Sequence, residues 1–235
     1  MQNPGRAATP TAHLFAWLGA AVFVLSLSYF LFTFWTVFGR ILDGPPGVAA
    51  ILWNVLLFSA FALHHSVFAR EPVRHRLTRA FPHLERSIYV WVASLLFIGV
   101  CWLWQPVGGT VWNLDGFAGV ALNMLHVGGI ALSVYSAALI DAFELAGVRQ
   151  PVSRLLEFKT SGPYGLVRHP IYLGWVLIVF SVGTMTMTRF VFAVVSCAYI
   201  LVAIPFEERS IRLSSAGAYD RYMKQVRRKL IPGLY

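Results

Sequence analysis

The sequence predicts an all-α, polytopic membrane protein, and three observations carry that prediction. The 235 residues are 57% hydrophobic and only 12% charged, with a mean hydropathy of +0.65, too apolar for a water-soluble globule. The apolar residues come in runs long enough to cross a hydrocarbon core of roughly 30 Å as helices. The cations, finally, collect in alternate loops, as the positive-inside rule requires. A helical bundle of five to six membrane segments is expected, with a C-terminal helical hairpin and a cytoplasmic amphipathic tail helix.

Taken in order, residues 1–12 are small and polar and read as a disordered tail. A first span is expected over about 13–38, too long and wrongly flanked for a cleaved signal peptide. Asp43-Gly-Pro-Pro46 marks a turn, and a second span follows over about 48–69, closing on His64-His65-Ser66. Residues 70–86 form a basic loop, 87–104 a third span, 105–115 a loop without Lys or Arg, and 116–140 a fourth span. After a polar loop over 141–168 come two shorter apolar segments, about 170–184 and 190–204, read as a tilted hairpin that crosses barely or incompletely. Residues 206–230 read as one basic, amphipathic helix.

Loop charge orients these segments. Arg70, Arg74, Arg76, Arg79 and Arg86 lie in one loop, and Arg149, Arg154, Lys159 and Arg168 in another. Arg209, Arg212, Arg221, Lys224, Arg227, Arg228 and Lys229 lie in the tail, and Arg6 at the start; Arg40 and Arg189 alone fall on the opposite side. Six alternating segments put the larger group and both termini in the cytoplasm, with the bacterial inner membrane as the expected location. The net charge of +9 is therefore assigned to membrane lipids, at ~1 kcal/mol per cation near an anionic surface, and no nucleic-acid partner is expected. Cys101 and Cys197 both sit inside apolar runs, where they supply neither a disulfide framework nor a zinc site.

This topology gathers His64, His65, Ser66, Asp141, Glu144, the stretch 164–172 and Glu207-Glu208 at one membrane face. Pro170 suits the first position of a helix, which sets Arg168 and His169 at an N-terminus whose amides and positive pole attract anions. Glu207 and Glu208 follow Pro205, and carboxylates at a membrane edge need solvent or a partner. Glu208 and Arg212 have the i,i+4 spacing of a helical ion pair; the alternative is that one carboxylate faces inward and holds a cationic ligand group. His64 and His65 point about 100° apart on a helix and cannot readily share one ion. Counted from the helix ends, His64 and His126 lie roughly 10 Å apart in depth at ~1.5 Å per residue, which disfavours a haem held between them. No metal is expected. The plain readings are an interfacial polar cap for His64-His65, a helix-packing hydrogen bond for His126, interhelical bonding for Asn123 and an arginine partner for Asp141. Trp102, Trp104 and Trp112 read as an outer aromatic belt. No Gly-rich phosphate loop, nucleophile elbow or HExxH run is present.

One ordered pattern remains: Ser161-Gly-Pro-Tyr164, Arg168-His-Pro-Ile-Tyr172-Leu-Gly174, a hairpin, Glu207-Glu208, then Gly217-Ala-Tyr219. It resembles the isoprenylcysteine carboxyl methyltransferase family and its integral membrane relatives. Upstream, His65-Ser-Val-Phe-Ala-Arg70, Glu85-Arg-Ser-Ile-Tyr89, Trp104-Gln-Pro106 and Phe143-Glu-Leu-Ala-Gly-Val-Arg-Gln150 resemble the methanethiol S-methyltransferase and NnrU-like branch. The resemblance implies a membrane methyltransferase using S-adenosyl-L-methionine. By position it carries donor contacts onto the segment before Thr160 (Phe158 and Lys159), Tyr164, His169, Pro170, Ile171, Tyr172, Glu207 and Glu208. The chemistry of the ligand agrees: a helix N-terminus with His169 suits its carboxylate, Glu208 its ammonium, and Tyr164 or Tyr172 its adenosine.

The function this implies is methyl transfer to a small thiol such as methanethiol, giving a thioether. The alternatives are a prenylcysteine carboxylate or other lipid-soluble acceptor, and a non-enzymatic NnrU-like accessory protein. A thiol must become a thiolate to react, so His64 or His65 is a candidate base, with Arg70 and Arg168 as candidates to stabilise the anion. Two departures bear on the acceptor. Ile204 stands where the prenylcysteine enzymes carry an arginine tied to the substrate carboxylate. Only residues 151–160 separate Gln150 from Ser161, a shorter segment than in the methanethiol branch. Residues 13–156 are read as the N-terminal transmembrane helices and 157–235 as the donor-binding catalytic region.

Overall fold

A computed structural model describes residues 10–69, 73, 76, 78, 79, 81–149, 158–231, 233 and 235. Arg70 and residues 150–157 of the loop before Ser161 lie outside the described residues. The helices are α1 (Pro10–Thr36), α2 (Val48–Ala69), α3 (Glu85–Leu103), α4 (Gly116–Ile140), α5 (Ala142–Leu145), α6 (Pro163–Leu166), α7 (Pro170–Phe180), α8 (Met187–Ser214) and α9 (Ala218–Gln225). Five of these, α1 to α4 and α8, are long and apolar enough to cross a membrane, and α7 is a shorter apolar helix. The polytopic helical class is the one the sequence predicts.

The chain divides into two compact units. The first comprises Met1–Thr33, Ala60–Leu103 and Asp141–Val152. Within it Phe61 and Phe30 pack on Phe97 at ring separations of 5.5 and 5.6 Å, and Trp91 donates to the Phe15 carbonyl. Asp141 caps α5 by accepting from the amides of Phe143 and Glu144, and its other oxygen lies 3.6 Å from Arg149, the partner expected for it.

The second unit comprises Phe34–Ser59, Trp104–Ile140 and Ser153–Tyr235. Its centre is Phe192, fully buried, with Trp104, Phe38 and Phe58 around it at 5.1, 5.6 and 5.8 Å. Trp104 thus belongs to the core, correcting its place in the aromatic belt, whereas Trp102 is 75% exposed. The loop 105–115 contains an unforeseen strand, β1 (Thr110–Asn113), paired antiparallel with β2 (Thr184–Thr186).

The first arm of the hairpin is short, as the sequence predicts. At ~1.5 Å per residue, the 11 residues of α7 reach only about 16 Å, short of the bilayer core. Contacts with α4 nevertheless run along nearly its whole length. Lys159 donates to Leu139 O, Tyr164 to Ser136 O and Ser133 to Ile171 O. His126 Nδ1 meets Ile178 O, and Gly183 N donates to Asn123. From Leu139 to Asn123, α4 rises roughly 24 Å, and segment 159–183 follows it over that distance as the short helix α6, the half-length α7 and irregular residues around them. The irregular residues on either side of α7 are covered by α4. The middle of the contact uses small residues, as close helix packing in membranes does: a Cβ on Gly174 would lie 2.2 Å from Ser133 Oγ, and one on Gly129 2.7 Å from Gly174 O. His126 spends both ring nitrogens here. Trp35 Nε1 can only donate to Nε2, at 3.0 Å, so Nδ1 carries the proton given to Ile178 O at 2.7 Å.

At the other end of the hairpin, helix α8 runs 28 residues through Pro205, roughly 42 Å. Its last turns, bearing Glu207 and Glu208, therefore outrun the membrane core. The single amphipathic helix expected over 206–230 is instead the end of α8, a turn with Gly217 at φ +80°, and α9, which buries Tyr219 and Tyr222 on one face. Glycine suits that left-handed turn because it has no Cβ to clash.

Candidate active site

The network around Glu208 lies wholly in the second unit. Pro205 leaves α8 unbroken, and the following turn sets Glu208 inward: its side chain is 8% exposed, against 41% for Glu207. Arg168 approaches from the extended residues before α7 and donates from Nε to Glu208 Oε1 at 2.7 Å. His169, the N-cap of α7, reaches the same oxygen through Nε2 at 3.2 Å. Tyr219, from α9, donates its hydroxyl to it at 3.2 Å. Three groups from two segments thus converge on one oxygen, while Oε2 makes no hydrogen bond among the described residues.

The partner of Glu208 is therefore Arg168 and not Arg212. Arg212 pairs instead with Asp220 at 2.8 Å, both exposed. The reason is geometric: once the helix ends at Ser214 and turns back, Asp220 comes over Arg212, whereas Glu208 is directed to the buried side.

Arg168 has a second task. Nη1 donates to the carbonyls of Val226 and Arg227 at 2.9 and 2.8 Å. The backbone amides of Arg168 and His169 donate to Arg228 O and Lys229 O, both at 2.9 Å. The end of the chain is held as an extended clasp along the entry to α7. Leu230 then packs with Ile200 and Ile204 in an apolar cluster that also takes in Tyr172 and Leu173.

Around this core, Tyr172 stacks on His169 with rings 9° apart and donates to Glu207 Oε2 at 2.8 Å. Glu207 Oε2 lies 4.0 Å from His169 Nδ1, so the imidazole has a carboxylate on each side. Phe158 stacks on Tyr222 at 5.6 Å and meets Tyr219 edge-on at 5.0 Å. Tyr222 donates to Tyr164 O at 2.8 Å. Pro170 and Ile171 form the first turn of α7, the former buried.

Electrostatics follow from this packing. Burial pushes the Tyr219 phenol up, and the Glu208 carboxylate beside it pushes the same way. Burial also raises Tyr222, to about 12, and Tyr164. All three phenols are therefore proton donors at neutral pH. Burial works against the charge of Arg168, yet its hydrogen bond and ion pair with Glu208 win and raise its pKa.

The donor contacts expected from the sequence at Phe158, His169 to Tyr172, Glu207 and Glu208 thus cluster in one place, with Tyr164 and Lys159 against α4. Arg168 is also there, its Nε and Nη1 spent on Glu208 and the chain end. His64 and His65 lie in the first unit. There Tyr89 OH lies 3.0 Å from His65 Nδ1, and His64 stacks on Phe68 at 4.1 Å. Tyr219 and the carbonyls of 226–229 received no role from sequence reasoning. For Tyr219 a signal existed, the i,i+3 spacing with Tyr222 after a glycine turn; for backbone carbonyls no side-chain pattern can exist.

No family model matches the chain, and no solved structure matches it. Among curated proteins, it is 39% identical to the methanethiol S-methyltransferase of Crocosphaera subtropica, over 76% of this chain and 74% of that one. It is 35% identical to the methanethiol S-methyltransferase of Mycobacterium tuberculosis, over 77% and 78%. A more distant likeness, 27% over 72% and 70%, is to nurim of Xenopus laevis.

Proposed function

Since this chain belongs to the methanethiol S-methyltransferase family, we propose that it methylates a small thiol with S-adenosylmethionine as donor, at the buried Glu208 site. The observation that carries the donor assignment is the state of that carboxylate. Arg168, His169 and Tyr219 occupy Oε1, and Oε2 is left for a further cation, the role an α-ammonium fills. S-adenosylmethionine, when bound, supplies a methyl group already activated by its sulfonium. The protein's part is then to bind, align and exclude water, a contribution worth several kcal/mol through positioning. Glu208 holds the ammonium, Tyr172 and Phe158 offer aromatic faces near it, and the apolar cluster of Ile200, Ile204 and Leu230 keeps that side dry.

The acceptor assignment rests on the family together with Ile204. The position where the prenylcysteine enzymes carry an arginine is here fully buried among apolar side chains, which leaves no cation there for a substrate carboxylate. His64, His65 and Arg70 remain proposals for handling the thiol proton and its anion. Residues 157–235 are assigned the donor-binding region, with α4 as its backing.

The test is to incubate membranes carrying the protein with methyl-labelled donor and methanethiol. Label is expected in a volatile thioether; label retained in lipid would overturn the thiol assignment. In the same assay Glu208→Gln is expected to weaken donor binding about 10–100-fold, the cost of losing one charged hydrogen-bond partner. Wild-type affinity in that variant, by calorimetry in detergent, would remove Glu208 from the site.

We also propose that this site faces the cytoplasm of a bacterial inner membrane, on the strength of the loop charges. A cysteine at Val111, 40% exposed, in a protein with Cys101 and Cys197 replaced by alanine, is expected to react with a membrane-impermeant maleimide on intact cells. Reaction only with a permeant reagent would invert the topology.

A further inference from the structure

We infer that Tyr219 is a positioning residue for methyl-donor binding, acting through Glu208 and not by touching the donor's adenosine. The inference rests on the donor reading above and adds a residue to it. A carboxylate is planar, so its free oxygen is aimed only when the other oxygen is pinned from more than one direction. Arg168 and His169 are adjacent in the chain and approach Oε1 from the entry to α7. Among the described residues, Tyr219 is the one donor to Oε1 that comes from elsewhere, on α9. It is 3% exposed, its amide is held by Ser215 Oγ at 3.3 Å, and its ring is packed between Phe158 and Tyr222. Those contacts belong to the ring and backbone, so the hydroxyl is separable from the packing. Tyr219 thereby couples the tail helix to the orientation of Oε2, the atom left for the ammonium.

The substitution Tyr219→Phe removes the hydroxyl and keeps the ring. Two ligands separate positioning from general structure: S-adenosylhomocysteine, which carries the α-amino group, and 5′-methylthioadenosine, which has the adenosine and thioether but no amino-acid end. By calorimetry on the full-length protein in detergent, Tyr219→Phe is expected to weaken S-adenosylhomocysteine about fivefold, the effect of one hydrogen bond, and to leave 5′-methylthioadenosine unchanged. In the transfer assay, KM for the donor is expected to rise by the same factor with kcat within about twofold. Unchanged affinity for S-adenosylhomocysteine, or an equal loss for both ligands with a fall in kcat, overturns the inference and leaves the donor site standing. A wild-type protein that binds no S-adenosylhomocysteine overturns the donor reading and the inference together.

Discussion

Replacing Arg168 with alanine is expected to destabilise the protein by about 3–5 kcal/mol, the usual cost of stripping one partner from a buried ion pair. The Glu208 carboxylate would keep its burial and lose its closest donor, at 2.7 Å, while Val226 O and Arg227 O would lose theirs. Arg212→Ala is the matched control. The pair it breaks, with Asp220, is roughly half exposed on both sides, and such surface pairs are worth ~1 kcal/mol or less. Thermal unfolding of the two variants in the same detergent reads the contrast directly. Equal midpoints would mean that the Arg168–Glu208 pair is not a structural centre.

Ending the chain at Gln225 is expected to abolish donor binding, with a loss of at least about 100-fold. Four carbonyls, those of residues 226 to 229, accept from Arg168 and His169, and at roughly 1 kcal/mol each their removal reaches that size. Leu230 would leave its cluster with Ile200 and Ile204 as well. The triple change Arg227→Gln, Arg228→Gln and Lys229→Gln removes the cations and keeps the backbone, so its donor affinity is expected to stay within about threefold of wild type. Calorimetry with S-adenosylhomocysteine checks both. A truncated protein that binds normally would show that the clasp is dispensable; a triple variant as weak as the truncation would shift the effect to the side-chain charges.

The membrane class and the first four spans were legible because they depend on the one-dimensional distribution of apolar side chains, which the bilayer reads locally. The fourth span, 116–140, matches helix α4 residue for residue. The motif residues of the candidate site stood out as well, since Arg168-His169-Pro170 and Glu207-Glu208 are contiguous and chemically distinctive. What the sequence pattern misjudged were features set by partners distant along the chain. Trp104 looked interfacial until Phe38 and Phe192 enclosed it. Segment 190–204 looked short until α8 proved to run on through Pro205 to Ser214. Glu208 had a suitable cation four residues on, in Arg212, and took one 40 residues back instead.

By itself, then, the sequence determined that this chain enters a membrane, which side of its loops is basic, and which side chains carry the candidate chemistry. Only the tertiary structure decided which carboxylate is buried, what holds it and which of its oxygens stays free. Hydropathy and motif are properties of neighbours in the chain, whereas the orientation of a buried charge is set by whichever donors the fold brings to it.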